Sequence, residues 1–318
     1  SGKEKERPVT TTFERRLNTK LLTEDVVKDT PLLQHLLALW APAGTDSREG
    51  QRLRLAIRNN YVNFYAHGQS LAEVKFHLLQ NKFTFRVHKK YCGKGDNVRD
   101  YVSVGLQTSA KELEAWRETA LALNSKKAEK MFVDALIAAN ESAIDMEMAF
   151  PGAVNAEGNK AAPRADLVLL EPCVGGHRIV FWEAKLSTNP EVRAKGHTEP
   201  KVLRQLQKYR DWFSDERQAE VIDAYRNACK LFLQFQNLSK RDTPLGKVIT
   251  AVAAGEGGLW VDPNVRLVVD DRGLNKQGKP VSLSPSFLAN GHEAKLRDAI
   301  TPLHVIRPGD SLLLAVRA

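Results

Sequence analysis

Three charged side chains sit inside the most apolar stretch of this chain. Ala165-Asp166-Leu167-Val168-Leu169-Leu170 is followed by a Gly-bearing turn and then by Ile179-Val180-Phe181-Trp182-Glu183-Ala184-Lys185. Both runs have strand character, and together they predict a hairpin. Side chains alternate along a strand, so Phe181, Glu183 and Lys185 share one face while Val180, Trp182 and Ala184 share the other. Two carboxylates and an ammonium on a half-buried sheet are costly to desolvate without compensation. A hard divalent cation taking oxygen ligands would supply it. So would a plain Glu183–Lys185 ion pair on an edge strand.

The elements around the hairpin must hold these residues in place. Residues 126–140 have a helical period, and Phe132, Val133, Leu136 and Asn140 fall at +3, +4, +7 and +11 from Glu129. Glu129 therefore belongs to the apolar stripe, where a carboxylate needs a partner, although the helix dipole also favours a first-turn glutamate. Residues 144–150 alternate and predict the first strand of a core sheet, with Glu147 a further candidate acid. Loops are expected over 151–163 and over the basic stretch 187–200. A helix over 201–213 turns Val202, Leu203, Leu206 and Phe213 to one face, leaving Lys201, Arg204, Gln205, Lys208, Tyr209 and Trp212 on the other. Gln205 and Tyr209, four residues apart, are neighbours on its surface. A helix over 219–238, a strand over 265–269, a short helix over 291–300 and a last strand over 312–316 complete this half. Gly255-Glu256-Gly257-Gly258 lacks the Gly-Lys-[Ser/Thr] of a phosphate loop and reads as turn chemistry.

The first half has a different texture. Residues 1–20 are charged and Thr-rich, a loose arm by composition. Residues 21–40 suit short helices, with Asp29-Thr30-Pro31 starting the second. From residue 51 a two-residue period sets in, with Leu53, Leu55 and Ile57 against Arg52, Arg54 and Arg58. It continues through 61–65, through Ala72, Val74 and Phe76 against Glu73, Lys75 and His77, and through Phe83, Phe85 and Val87 against Lys82, Arg86 and His88. Asn59-Asn60 and His67-Gly68 supply turns, and 101–104 adds a strand. This predicts an antiparallel meander with one apolar and one cationic face. The cationic face is either a solvated surface or one that tracks phosphates, and the planar donor fork of arginine favours the second. After a helix over 111–123 the domain boundary falls near Asn124-Ser125, with Ser125 as N-cap. That gives a basic α+β domain over 1–124 and a second domain over 125–318.

At 318 residues the chain has room for two domains, and 47 Lys+Arg against 38 Asp+Glu biases it towards polyanionic partners. Cys92, Cys173 and Cys229 form no Cys-x-x-Cys pair, so neither a zinc ribbon nor a disulfide framework is indicated. Reduced thiols in a cytoplasmic compartment are the expectation. No apolar run approaches the ~18 residues of a membrane span, so no membrane partner is expected.

Pro163-Arg164-Ala165-Asp166, followed by Glu183-Ala184-Lys185 at the end of the next strand, resembles the PD-(D/E)XK nuclease superfamily. Gln205-Leu206-Gln207-Lys208-Tyr209 is similar to the QxxxY motif of its RecB-like and lambda-exonuclease-like branches. The helix-strand-strand-strand-helix order from 125 to 215 also fits that core. The resemblance covers the second half of the chain. It implies an α/β fold with a restriction-endonuclease-like mixed sheet flanked by helices, beside the N-terminal α+β domain and its meander. It implies phosphodiester hydrolysis dependent on Mg²⁺, or on Mn²⁺, with DNA ahead of RNA as substrate, in repair, recombination or defence against foreign DNA. Asp166 and Glu183 would hold the metal, with Glu129 and the Ala184 carbonyl as further ligands. Lys185 would position or deprotonate the attacking water, and Gln205 and Tyr209 would orient the site. Lys201, Arg204 and Lys208, together with Arg52, Arg54 and Arg58, are the expected nucleic-acid contacts. The N-terminal domain would recognise nucleic acid or a partner protein, and a homo-oligomer is compatible with the sequence. The rival readings are a binding module that keeps the fold without catalysis, a ribonuclease, and an assembly protein whose hairpin charges are simple salt bridges.

Overall fold

The computed structural model describes residues 12–45, 53–77, 82–92, 101–105, 107–124, 128–151, 163–194, 196, 198–239, 244–300 and 302–314. Short helices α1 (Glu24–Lys28) and α2 (Pro31–Leu39) come first. The Thr23 hydroxyl caps α1 by accepting the Val26 N–H, and Pro31 opens α2, where a missing N–H costs nothing. Strands β1 (Arg54–Ile57), β2 (Tyr61–Ala66), β3 (Gln69–His77), β4 (Lys82–His88) and β5 (Tyr101–Val104) pair in sequential order as an antiparallel meander. Asn60 and His67, both at positive φ, make its first two turns. Helices α3 (Ala110–Asn124) and α4 (Ala128–Ala139) lead out of it; Ser125 lies outside the described residues.

The second sheet begins with β6 (Ala143–Ala149), β7 (Arg164–Cys173) and β8 (Gly176–Leu186), an antiparallel run in which Val174-Gly175 closes the β7–β8 hairpin. Gly175 sits at φ +83°, a conformation a two-residue turn requires and glycine adopts freely. Next come α5 (Lys201–Trp212), α6 (Asp215–Ser239), α7 (Lys247–Ala254), β9 (Gly258–Val261), β10 (Arg266–Asp270), the small hairpin β11 (Arg272–Leu274) and β12 (Pro280–Ser282), α8 (Pro285–Ala289), α9 (His292–Ala299) and β13 (Leu303–Ile306). The main sheet runs β13-β10-β8-β7-β6. On one edge of β8 the first half pairs in parallel with β9 and the second half in parallel with β10. Strand β8 is thus covered on every side, which is why it reads as a continuous apolar run rather than an alternation.

Helices flank both faces of this mixed sheet. Phe132, Val133, Leu136 and Ile137 of α4 pack on Leu167, Leu169, Val180 and Trp182. On the opposite face Val168, Leu170 and Phe181 meet Tyr209, Phe213 and Tyr225 from α5, its C-terminal end and α6. The second of these clusters continues into the meander and α2, so the two halves share one apolar core. Among the described residues no helix is long and apolar enough to cross a membrane.

Several expectations need correction. The expected loose arm is, from Phe13 onward, a packed segment: Phe13, Leu17 and Leu21 are buried, and Phe13 N–H donates to Glu220 on α6. Its inward positions alternate with charged ones, and composition hid that alternation. The expected cationic face of the meander is not a solvated surface at Arg54 and Arg58, which are 2% and 8% exposed. Arg54 donates to Asp134 of α4 and to the carbonyls of Pro42 and Thr45, while Arg58 donates to Asp145 of β6. Alternation along β1 defines two faces, but what covers each face is a tertiary matter. Arg52 lies outside the described residues. The expected strand over 312–316 is absent from Leu312 to Leu314, where Asn140 of the α4 C-terminal end accepts the Leu314 N–H and donates to the Leu312 carbonyl. A side chain satisfies the backbone there instead of a ladder. The sheet edge is β13, ten residues earlier.

Candidate active site

The pairing between β7 and β8 ends at Leu167–Trp182. One position further along each strand stand Asp166 and Glu183, so two carboxylates oppose each other on the sheet face covered by α5. Like charges directly across a strand pair repel, and here Glu183 is buried and Asp166 half-buried. The Ala184 N–H partly compensates Asp166 by donating to its Oδ2 at 2.8 Å. Glu183 is 2% exposed and has three donors around it. Lys185 Nζ lies 2.8 Å from its Oε1, Gln205 Nε2 donates to the same oxygen at 2.8 Å, and the Tyr209 hydroxyl lies 3.2 Å from Oε2. Tyr209 also accepts from Gln205 Nε2 and donates to the Arg164 carbonyl at 2.7 Å.

Helix α5 delivers Gln205 and Tyr209 one turn apart, which is what the four-residue spacing requires. Tyr209 is a correction to the helical wheel. It is fully buried, and its ring stacks on Phe150 at 4.6 Å with only the hydroxyl turned to Glu183. Lys201 and Arg204 are exposed on the same helix, and Lys208 is half-buried.

Lys185 is the hub of the remaining contacts. Besides Glu183, its Nζ lies 3.1 Å from Glu191 Oε2 and 3.9 Å from Glu129 Oε1. The other oxygen of Glu129 accepts from Asn189 Nδ2 at 3.0 Å, and Asn189 Oδ1 accepts the Glu191 N–H. The partner that Glu129 needed is therefore Asn189, with Lys185 nearby. Sequence reasoning missed Asn189 and Glu191, which stood in a stretch read as loop. The Asn-Pro pair before Glu191 was the available signal, since it favours a tight turn that fixes the following side chain.

No protein-family model, curated protein or solved structure matches this chain.

Burial, opposed in part by Lys185, leaves the Glu183 carboxyl raised to about 7. Burial and the nearby Glu183 push Asp166 well above the usual carboxylate range, and Glu147 adds to the same effect. Burial works against the Lys185 ammonium, but Glu183, Glu129 and Asp166 outweigh it and hold its pKa above the ordinary lysine value. Tyr209 is raised as well, chiefly by burial and by Glu183, so it stays a hydroxyl donor. The result is a fixed cation beside two carboxylates reluctant to ionise together. Among the described residues no three His, Cys, Asp or Glu side chains converge as a ready-made metal cage.

These shifts have a sign that can be tested. A carboxyl whose folded pKa is raised favours the fold while protonated. That contribution is fully present below its unfolded value, 3.8 for Asp166 and 4.5 for Glu183, and is lost as pH rises through the folded value, about 7 for Glu183. Asp166→Asn keeps an acceptor for the Ala184 N–H and removes one buried charge. In EDTA it is expected to raise the melting temperature at pH 8 by a few degrees, at about 2–4 °C per kcal/mol for chains of this order of size. No gain is expected at pH 4. Equal melting curves at pH 8, followed by calorimetry, would show that Asp166 is already neutral or solvated.

Proposed function

We propose that this chain is a metal-dependent phosphodiesterase acting on nucleic acid, DNA in the first place, on a restriction-endonuclease-like sheet. The observation that carries the reading is the convergence on Glu183. Asp166 across the strand pair, Lys185 two residues on, and Gln205 and Tyr209 from the following helix all surround one buried carboxylate. Nothing in plain packing demands that these five residue types, spaced as in the motifs they resemble, meet at one point. The order α4-β6-β7-β8-α5 and the mixed sheet support the fold assignment.

The residues fit a hard divalent cation. Two opposed carboxylates whose ionisation is suppressed by burial and by each other gain what they lack when a cation joins them. Mg²⁺ keeps several waters and commonly takes only one or two protein carboxylates, so Asp166 and Glu183, with the Ala184 carbonyl that the resemblance implies, are a sufficient set. When bound, the ion would supply charge stabilisation to the phosphoryl group and acidify a bound water. Lys185 would give an N–H to a phosphate oxygen or to that water, being permanently charged at the pH of reaction. Gln205 and Tyr209 hold the Glu183 carboxylate at fixed orientation through separate oxygens. Lys201 and Arg204, exposed on α5, would contact the phosphates of a bound strand.

The test is cleavage of supercoiled and linearised plasmid, and of a single-stranded RNA, with Mg²⁺, Mn²⁺ or EDTA, beside Asp166→Asn. Cutting of DNA that needs metal and is lost in the variant is the expected result, and nicking of the supercoiled form would mark endonucleolytic action. Cutting of RNA alone would make the enzyme a ribonuclease. Tight binding without cutting would favour the binding module, a reading to which the complete pairing of Lys185 with carboxylates lends itself. Neither binding nor cutting would leave the cluster as structure.

A further inference from the structure

A cavity of about 490 Å³ lies between the meander and the start of β7, and nothing above uses it. Its size is that of a small-molecule site, and its lining departs from the usual apolar one. The meander contributes Tyr61, Asn63, Glu73 and Tyr101, and the other wall contributes Lys130 and Arg164. Tyr61 and Tyr101 are only half-buried. Asn63 Oδ1 accepts from Ser70 Oγ at 2.9 Å, and Ser70 is also bonded to the Tyr101 hydroxyl, so the polar edge is held in one arrangement.

The cavity adjoins the carboxylate pair through two residues. The Arg164 carbonyl accepts from Tyr209 inside the site, while its guanidinium reaches Glu147 at 3.1 Å on the cavity wall. Glu147 occupies the β6 position directly across from Asp166, between the Met146–Leu167 and Met148–Ala165 pairs. Its φ of +51° is left-handed, which is uncommon for glutamate and is the kind of strain that collects at functional sites. The strained residue gathers Lys130 at 2.8 Å and Arg164 around one carboxylate, leaving an excess positive charge where the cavity meets the site. On a strand, Arg164 and Asp166 are about 7 Å apart.

Aromatic rings with a polar edge on one side, cations on the other, and the Asp166–Glu183 pair two residues along β7 from Arg164 make a specific combination. We propose that this cavity receives an unpaired nucleotide of the strand whose phosphate lies at Asp166 and Glu183. A base stacks on Tyr61, its edge meets Asn63 and Glu73, and its phosphate is held by Lys130 and Arg164. A base inside a duplex is not free to enter, so the preferred substrate is single-stranded or frayed nucleic acid. The proposal rests on the nuclease reading but is tested apart from cleavage.

The experiment is fluorescence anisotropy in EDTA with the full chain, using a fluorescein-labelled single-stranded oligodeoxynucleotide and a blunt hairpin duplex of the same composition. The single strand is expected to bind at least about tenfold tighter. Stacking of one base on an aromatic ring contributes ~1–3 kcal/mol, so Tyr61→Ala should weaken it by about tenfold and Tyr61→Phe should restore it. Arg164→Ala, at a side chain that is 59% exposed, should weaken binding and reduce its salt dependence. Equal affinity for Tyr61→Ala and the unaltered chain, tighter binding of the duplex, or no binding of either probe would overturn the proposal. Any of these alongside intact Mg²⁺-dependent cutting would remove the pocket and keep the nuclease. Tyr61-dependent binding without cutting would keep the pocket and remove the nuclease.

Discussion

Replacing Lys185 by alanine is expected to lower metal-dependent cleavage by about 10²–10³-fold, the range for removing one preorganised donor to developing charge. Binding of the strand should change far less. The argument starts from the three carboxylates around Nζ, at 2.8 Å for Glu183, 3.1 Å for Glu191 and 3.9 Å for Glu129. They hold the ammonium in place and keep it charged, so no reorganisation is needed as charge builds on a phosphate. The same substitution has a second consequence, visible in pH dependence. Lys185 is the main influence that lowers the Glu183 carboxyl against the effect of burial, leaving it at about 7. Without Lys185 that carboxyl titrates higher, and the acid limb of the pH–rate profile should move to more alkaline pH. Single-turnover cleavage from pH 6 to 9 checks both effects. A loss of less than tenfold with an unmoved acid limb would mean that Lys185 only balances charge.

The hairpin and its charges were legible because two local signals coincided there, a continuous apolar run and a turn that only glycine fits easily. Gln205 and Tyr209 were legible as neighbours because helix geometry is local. The resemblance implied only that they orient the site; that both reach Glu183 is set by where α5 packs on the sheet. What could not be read is set by distant partners. Strands β9 and β13 are each four residues long and pair in parallel with β8 and β10, so nothing nearby in the chain marks them. Helix α7, eight residues long, and the β11–β12 hairpin, with strands of three residues each, are too short to show a clear period. Tyr209 looked polar on a wheel because its hydroxyl is polar, while its ring belongs to the core beside Phe150. Arg54 and Arg58 misled in the opposite sense. Charge suggested a phosphate-tracking or solvated face, but acids on α4 and β6 wait at the end of each side chain.

That second case leads to the largest expected change in stability. Asp145 on β6 has a side chain with no exposure and accepts hydrogen bonds from both halves of the chain. Arg15 donates to its Oδ2 at 2.9 Å, Tyr225 of α6 donates to the same oxygen at 2.9 Å, and Arg58 of the meander side donates to Oδ1. Burial alone would push this carboxyl up; Arg58 and Arg15 outweigh it and hold it below 3.8. Removing one partner of a buried ion pair leaves an uncompensated charge, at a cost of about 3–5 kcal/mol, and here two guanidinium groups would be stranded. Asp145→Ala is therefore expected to lose about that much at pH 7, read as a lower urea midpoint. The lowered pKa gives the matching pH dependence. The stability it supplies is present above the unfolded value of 3.8 and lost as pH falls through the folded value, so variant and unaltered chain should converge in acid. Arg58→Met combined with Asp145→Leu should recover part of the loss, since only Arg15 is then left without its carboxylate. Because Arg15 and Arg58 come from the first half and Asp145 from the second, hydrogen exchange in Asp145→Ala should rise first in the segment around Phe13–Leu22 and in β1. A midpoint within experimental error of the unaltered chain would mean that the apolar core alone joins the halves.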